Sequence, residues 1–457
     1  MTGLAMAEFA GRRSAHKRVL ALTSEEAGFY IVIVKWRNQL LALFCLFLFL
    51  AFGVFYFRYW VIQKPFGIIL FIGEGLDAQT LAAARLHAGG ADKLLALDSL
   101  PYTAVLKNHS ADSSVPDAAA AATAMATGRK VKNGAVAVDA DGRKLTALLE
   151  LAREMGRVTG LITDGDLTAP TAASFYGHAA QGDQWELFAR QLIETNEIDI
   201  VLGGGAGDFL PQAQGGRRTD DKDLTRAARD AGYTFVQSLA ELDAVPRWPS
   251  AKLFGFFRDT EFGAPDETRT PRDQPTLSEM VRRGIELLQF HRGGYLLVVD
   301  ATSIRRASQQ GQREQRLAAA VEFDRAIAVA SEYTGEKSAI FVCSDVADDV
   351  EYFRAKAKAA TPRPPEPVPV PSWRIYPNVC EPLDGATPFP WQSEVAPDLE
   401  GETPPAALSS TDRLTPLKPD HIETAEDVLA FGKGLGAEAL HGTRENTAVF
   451  EVIRDNL

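Results

Sequence analysis

Apolar runs of strand length, each closed by glycine or an acidic residue and then by a helical pattern, recur along the chain. FGIILFIGEGLDAQT (66–80), GRVTGLITDGD (156–166), IDIVLGGGAGDF (198–209), GGYLLVVDATS (293–303) and KSAIFVCSDVADD (337–349) share this grammar. Strands that alternate with helices predict an α/β fold whose central sheet is mostly parallel and covered by helices on both faces. No internal repeat of fixed period interrupts it. Such sheets collect ligands at the carboxyl ends of their strands, where Glu74, Asp164, Asp166, Asp300 and Asp345 fall. Carboxylates converging on one edge repel one another unless a hard metal ion or arginines join them.

A different pattern precedes the sheet. QLLALFCLFLFLAFGVFYF (39–57) is uncharged and long enough to cross a bilayer, with Lys35 and Arg37 before it and Arg58 after. This predicts a transmembrane helix over 38–62, behind a short segment 1–37 and ahead of a folded domain at 65–457. The long leader and the lack of a small-residue cleavage motif favour a retained anchor over a cleaved signal. Arg12, Arg13, Lys17, Arg18, Lys35 and Arg37 precede the span, whereas only Arg58 and Lys64 lie closely behind it. The N-terminus is therefore expected in the cytoplasm and the domain outside it, periplasmic or extracellular, with Tyr56, Tyr59 and Trp60 at the outer interface.

Composition narrows the picture. With 457 residues, 46% hydrophobic and 24% charged, the chain can build a large core. Its net charge of -12 and the lack of a basic stripe argue against nucleic acid as a partner. Proline density at about 357–417 (TPRPPEPVPVPSW, PDLEGETPPAA) reads as a surface insertion that resists helix and ladder alike and offers a surface to a protein partner. Cys45 lies within the span, so Cys343 and Cys380 are the remaining disulfide candidates, with two free thiols the equal alternative.

The stretch SSVPDAAAAATAMATGRKVKNGAVAV (113–138) carries the candidate chemistry. An extended run ends at Val115-Pro116, Asp117 is placed as a cap, and a helix begins at Ala118. The free N–H groups of such a start can hold an anion. The stretch resembles the nucleophile segment of the alkaline phosphatase family, Val-Pro-Asp-Ser-Ala and then an Ala- and Thr-rich helix. FIGEGLDAQT is similar to the family's FIGDGMG turn, and FYGH (175–178) to its FYAH. IDIVLGGG, TLSEM, the strands ending at Asp300 and Asp345, TAEDV and GLGAEALHGTRENT come in family order to the C-terminus. The resemblance implies the fold above, phosphomonoester hydrolysis by a serine nucleophile, two zinc ions, one magnesium, an arginine that binds phosphate, and often a homodimer.

Read residue by residue, the resemblance implies lost chemistry. The serine position is Ala118, and a methyl group cannot attack phosphorus. The phosphate arginine is Gly182. The aspartate shared by magnesium and one zinc is Glu74, and the Asp-His pair of that zinc is Asp345-Val346. For the other zinc, the aspartate is Arg305, the histidine four residues on is Gln309, and the late histidine is Glu423, with His421 close by. A guanidinium at a ligand position is incompatible with a dication there, so the two-zinc site is expected to be absent. The magnesium corner persists as Glu74, Thr171 and Asp300, beside Asp345, and suits one magnesium or calcium ion. In the rival arrangement Arg305 and Arg306 replace the metals, with a guanidinium among Glu74, Asp300, Asp345 and Glu423. The expected protein is a membrane-anchored, alkaline phosphatase-like pseudoenzyme that acts by binding or structural partnership. The alternative is a metal-dependent phosphoric or sulfuric monoester hydrolase with a remodelled site, using Asp345 or Glu74 as base and Ser113, Ser114 or Thr123 as helpers.

Overall fold

The computed structural model describes residues 24–56, 66–195, 198–247, 252–257, 274–335, 338–347, 373–376, 379–382 and 426–457. The chain divides into two units, Met1–Lys64 and Pro65–Leu457. In the first, one α-helix runs Ser24–Tyr56, and its 22 residues Lys35–Tyr56 are apolar enough to cross a membrane, with a mean hydropathy of 2.3. The helix starts well before residue 38 because SEEAGFYIVIV also suits a helix. Lys35 and Arg37 therefore ride within it, and residues 57–62 of the expected span lie outside the described residues.

Among the described residues, the second unit is built on twelve strands. They are β1 (Gly67–Gly73), β2 (Tyr102–Lys107), β3 (Val158–Asp166), β4 (Ile200–Gly204), β5 (Thr234–Val236) and β6 (Leu253–Phe256), then β7 (Tyr295–Ala301), β8 (Ser338–Cys343), β9 (Trp373–Tyr376), β10 (Val379–Pro382), β11 (Val428–Gly434) and β12 (Gly442–Glu445). Ten of them form one sheet in the order β12-β2-β11-β8-β1-β7-β3-β4-β6-β5. All its pairings are parallel except those of β11 with β2 and β8.

Alternation along β1 builds both cores. Ile68, Leu70 and Ile72 join one apolar cluster with Phe175 and Phe188, while Ile69 and Phe71 join another with Val281, Ile285 and Phe323. The central strand is buried on both faces, as its unbroken apolar sequence requires.

The proline-dense stretch departs from expectation. Trp373–Tyr376 and Val379–Pro382 form a two-stranded antiparallel ladder, although this region was expected to resist pairing. WRIY is free of proline and rich in strand formers, and Pro382 sits at the end of its strand where its missing N–H matters least. Cys380 lies there with its side chain outside the described residues, while Cys343 is a free, buried thiol at the end of β8.

Register then places the acidic residues. Ile72 is level with Asp300 and with Cys343, and Asp300 is level with Thr163. Asp345, Glu74, Asp300 and Asp164 thus stand at the carboxyl ends of four adjacent strands, β8-β1-β7-β3. Asp166 pairs across to β4, level with Gly204.

Candidate functional site

Three carboxyl groups form the centre, all within one sheet edge. Asp300 is wholly buried and its Oδ2 accepts from the hydroxyls of Thr163 and Thr302, each at 3.0 Å. Thr302 also lies 3.2 Å from Glu74 Oε1. Asp345, likewise wholly buried, accepts at Oδ1 from the N–H groups of Gly75 (3.2 Å) and Val346 (2.7 Å), and at Oδ2 from Thr171 (3.3 Å). Its carbonyl accepts from Asn108, which Asn446 orients in turn.

Burial dominates their acidity. It raises Glu74 above the usual carboxylate range against the pull of Arg305. Burial, with Glu74, Asp164 and Asp345 nearby, raises Asp300 well above that range. Asp345 is pushed up to about 7 by burial and by Glu74, with Arg305 opposing. Asp164 is pushed up to about 6 by burial, against the Ser303 hydrogen bonds and Arg306. Among the described residues Asp300 Oδ1 is buried with no donor to satisfy it, and Asp300 lies within hydrogen-bonding reach of Glu74.

Arg305 supplies the positive charge. It comes five residues after Asp300, in the helix Thr302–Gln309 that opens directly after β7, and buried Ile304 anchors that turn. Its Nη1 lies 3.9 Å from Glu74 Oε2 and 3.9 Å from Asp345 Oδ2. At an effective dielectric of about 20, each contact is worth roughly 4 kcal/mol before desolvation. Arg306 turns elsewhere: it donates to Ser303 Oγ at 3.3 Å and lowers Asp164. The expected pair of arginines in the cluster is thus Arg305 alone among the described residues. Glu423 and His421 lie outside those residues, and Gln309 closes the helix half-buried.

The helix Ala118–Thr127 is entirely buried, and its start is held without any nucleophile. Asp117 caps it, accepting from Ala120 N at 2.8 Å and from Gly134 N at 2.5 Å, so its carboxylate serves the scaffold. A Cβ added to Gly182 would lie 3.4 Å from that of Ala119, which puts position 182 beside the helix start. Neither position offers a group that attacks or clamps a phosphate. Thr123 is no helper, since its buried hydroxyl bonds Ala135 O and Ala137 N. Ser113 Oγ is engaged by Val115 N.

The residues do not fit a two-zinc centre. Val346 offers no imidazole where one is needed, Arg305 places a guanidinium between two of the carboxylates, and among the described residues no three His, Cys, Asp or Glu side chains close on a common point. The Thr171 hydroxyl donates to Asp345, and the Thr302 hydroxyl lies within reach of both Glu74 and Asp300.

Several contributors were invisible in sequence. Thr163 and Thr302 bond Asp300, and their only signal was their place next to strand-end aspartates. Buried Arg316 clamps the Glu74 turn from the helix Arg313–Tyr333, donating to Gly75 O at 2.8 Å. His178 of FYGH lies 3.0 Å from both Glu150 Oε1 and Ala137 O, which ties it to the scaffold.

Comparison with known proteins places this geometry in context. The family model described as alkaline phosphatase matches residues 67–360. The chain is 30% identical over 322 residues to the tissue-nonspecific alkaline phosphatase of Gallus gallus, covering 60% of this chain and 62% of that one. It is 30% identical over 312 residues to alkaline phosphatase H of Pseudomonas aeruginosa, covering 58% and 65%. The matched region thus spans less than two thirds of either relative. In fold it is similar to Thermus thermophilus alkaline phosphatase, with a TM-score of 0.64, 24% identity, and 86% and 92% of the two chains covered. It is also similar to alkaline phosphatase of the Antarctic bacterium TAB5, at 0.63, 17%, 86% and 98%.

Proposed function

The chain belongs to the alkaline phosphatase family, and on that premise we propose that it is a membrane-anchored member that does not hydrolyse phosphomonoesters and acts by binding or structural partnership outside the cytoplasm. The observation that carries this reading is the methyl group of Ala118 at the buried helix start, beside Gly182. A covalent phosphoenzyme needs an oxygen or nitrogen nucleophile there, and transition-state charge needs a clamp. Both are absent at the two positions that the family uses. The 22-residue apolar stretch Lys35–Tyr56 supports an anchor, and the charge bias around it supports a cytoplasmic N-terminus. Partner contacts would fall on the domain surface or on the 357–417 insertion, and a homodimer is compatible with the family.

One observation favours a second reading. Asp345, pushed up to about 7, has the acidity of a general base working near neutral pH. A remodelled phosphoric or sulfuric ester hydrolase would use it on water, with Glu74, Thr171 and Asp300 as oxygen donors for one magnesium or calcium ion.

The test is hydrolysis of chromogenic phosphate and sulfate monoesters by the full chain in detergent, beside Ala118→Ser and the double variant Ala118→Ser/Gly182→Arg. No turnover above the uncatalysed rate in the parent supports the first reading. Parent turnover abolished by Asp345→Asn establishes the second.

A further inference from the structure

Arg305 deepens the reading above, because it concerns the same carboxyl groups, yet it does not depend on whether they catalyse anything. We propose that Arg305 is the resident cation of this site: its guanidinium stands where a divalent ion would join Glu74 and Asp345, so the fold needs no metal, and removing it leaves a site that binds one hard divalent cation such as magnesium or calcium.

Three observations carry this. First, Nη1 is equidistant, at 3.9 Å, from carboxylates on two different strand ends. That is the bridging place of a single positive charge, here delivered by a side chain that cannot lose its proton. Second, the charge is needed: Arg305 lies between two buried carboxyls, a third, Asp300, is wholly buried close to Glu74, and among the described residues Asp300 Oδ1 has no donor. Third, the surrounding donors are interchangeable. Thr171 and Thr302 now turn their hydrogens to the carboxylates around them, but a hydroxyl also carries lone pairs and can rotate to face an ion. Glu74, Asp345 and those hydroxyls make the all-oxygen set that hard cations prefer, with no imidazole or thiolate among the described residues to favour zinc.

The experiment measures thermal unfolding of the full chain in detergent, after EDTA and then with millimolar magnesium or calcium. Parent protein should unfold at one temperature in all conditions. Arg305→Ala should unfold several degrees lower after EDTA, recover with either ion in a saturable way, and retain about one equivalent on metal analysis after desalting. Arg305→Lys should restore the midpoint without any ion response, and Arg306→Ala should show none either. Where the alanine variant does not fold, Arg305→Met keeps the side-chain length and takes its place. A parent midpoint that falls on chelation overturns the proposal, as does an Arg305 variant that neither ion moves. Turnover by the metal-free parent would sink the non-hydrolysing reading and leave this one standing. A chelator-sensitive parent without turnover would do the reverse.

Discussion

Two buried charge clusters in the domain are near mirror images. Around Glu286, one carboxylate meets three guanidinia: Arg283 at 2.8 Å, Arg247 at 3.1 Å and Arg282 at 3.2 Å. At the strand ends, among the described residues, the guanidinium of Arg305 meets two buried carboxyls, Glu74 and Asp345, each at 3.9 Å, with the buried carboxyl of Asp300 beside them. The first is over-compensated and directly hydrogen bonded. It fastens the helix Leu277–Leu288, where Arg282 also pairs with Asp243 at 2.9 Å and the surplus charge of Arg247 reaches solvent. The second has no such outlet, so part of its negative charge must be neutralised by protons or by a cation. Surplus charge that cannot reach water marks a site, whereas surplus charge that can marks a surface staple.

Breaking the strand-end cluster should have the largest effect. Arg305→Ala leaves buried carboxylates uncompensated and should cost about 3–5 kcal/mol in metal-free buffer at pH 8, read by urea unfolding. An equal loss from Arg247→Ala would erase the contrast between the clusters.

The pH dependence sharpens it next. Asp345 and Asp164 have folded pKa values of about 7 and about 6, above the roughly 3.9 of an unfolded aspartate. A raised carboxyl binds more protons when folded, so its contribution is fully present below about pH 4 and is lost as pH rises through about 6 to 7. Asp345→Asn should therefore flatten the fall in stability between pH 4 and 7, by on the order of a few kcal/mol.

Smaller effects come from the helix start and the surface. Asp117→Ala removes a cap that also ties Gly134, and should cost about 1–2 kcal/mol at neutral pH. Arg247 is 59% exposed in its side chain, so Arg247→Ala should cost at most about 1 kcal/mol, with the loss shrinking further in high salt.

Much of the fold and part of the site are legible in the sequence. The strand–turn–helix grammar predicts a parallel sheet, Asp117 reads as a cap, and the family resemblance runs through motifs in the right order. The pairing of 373–376 with 379–382 is not legible, because proline density averaged over a window hides the proline-free WRIY. Nor is the divergence of Arg305 from Arg306. Adjacent helix residues point about a hundred degrees apart, and only the neighbouring strands decide which of them meets carboxylates.

By itself the sequence determined which residue types stand at each strand end, since each apolar run stops at a glycine or an acidic residue before the helical pattern begins. It also determined that positions 118 and 182 carry no nucleophile and no clamp. The tertiary structure decided which of those ends meet. Strands β8, β1, β7 and β3 are neighbours in space but lie far apart in the chain, and only that crossover order and register bring Glu74 and Asp345 to one guanidinium with Asp300 beside them. Local pattern reports burial and turn chemistry. The energy of a shared charge depends on through-space distances that no local pattern encodes.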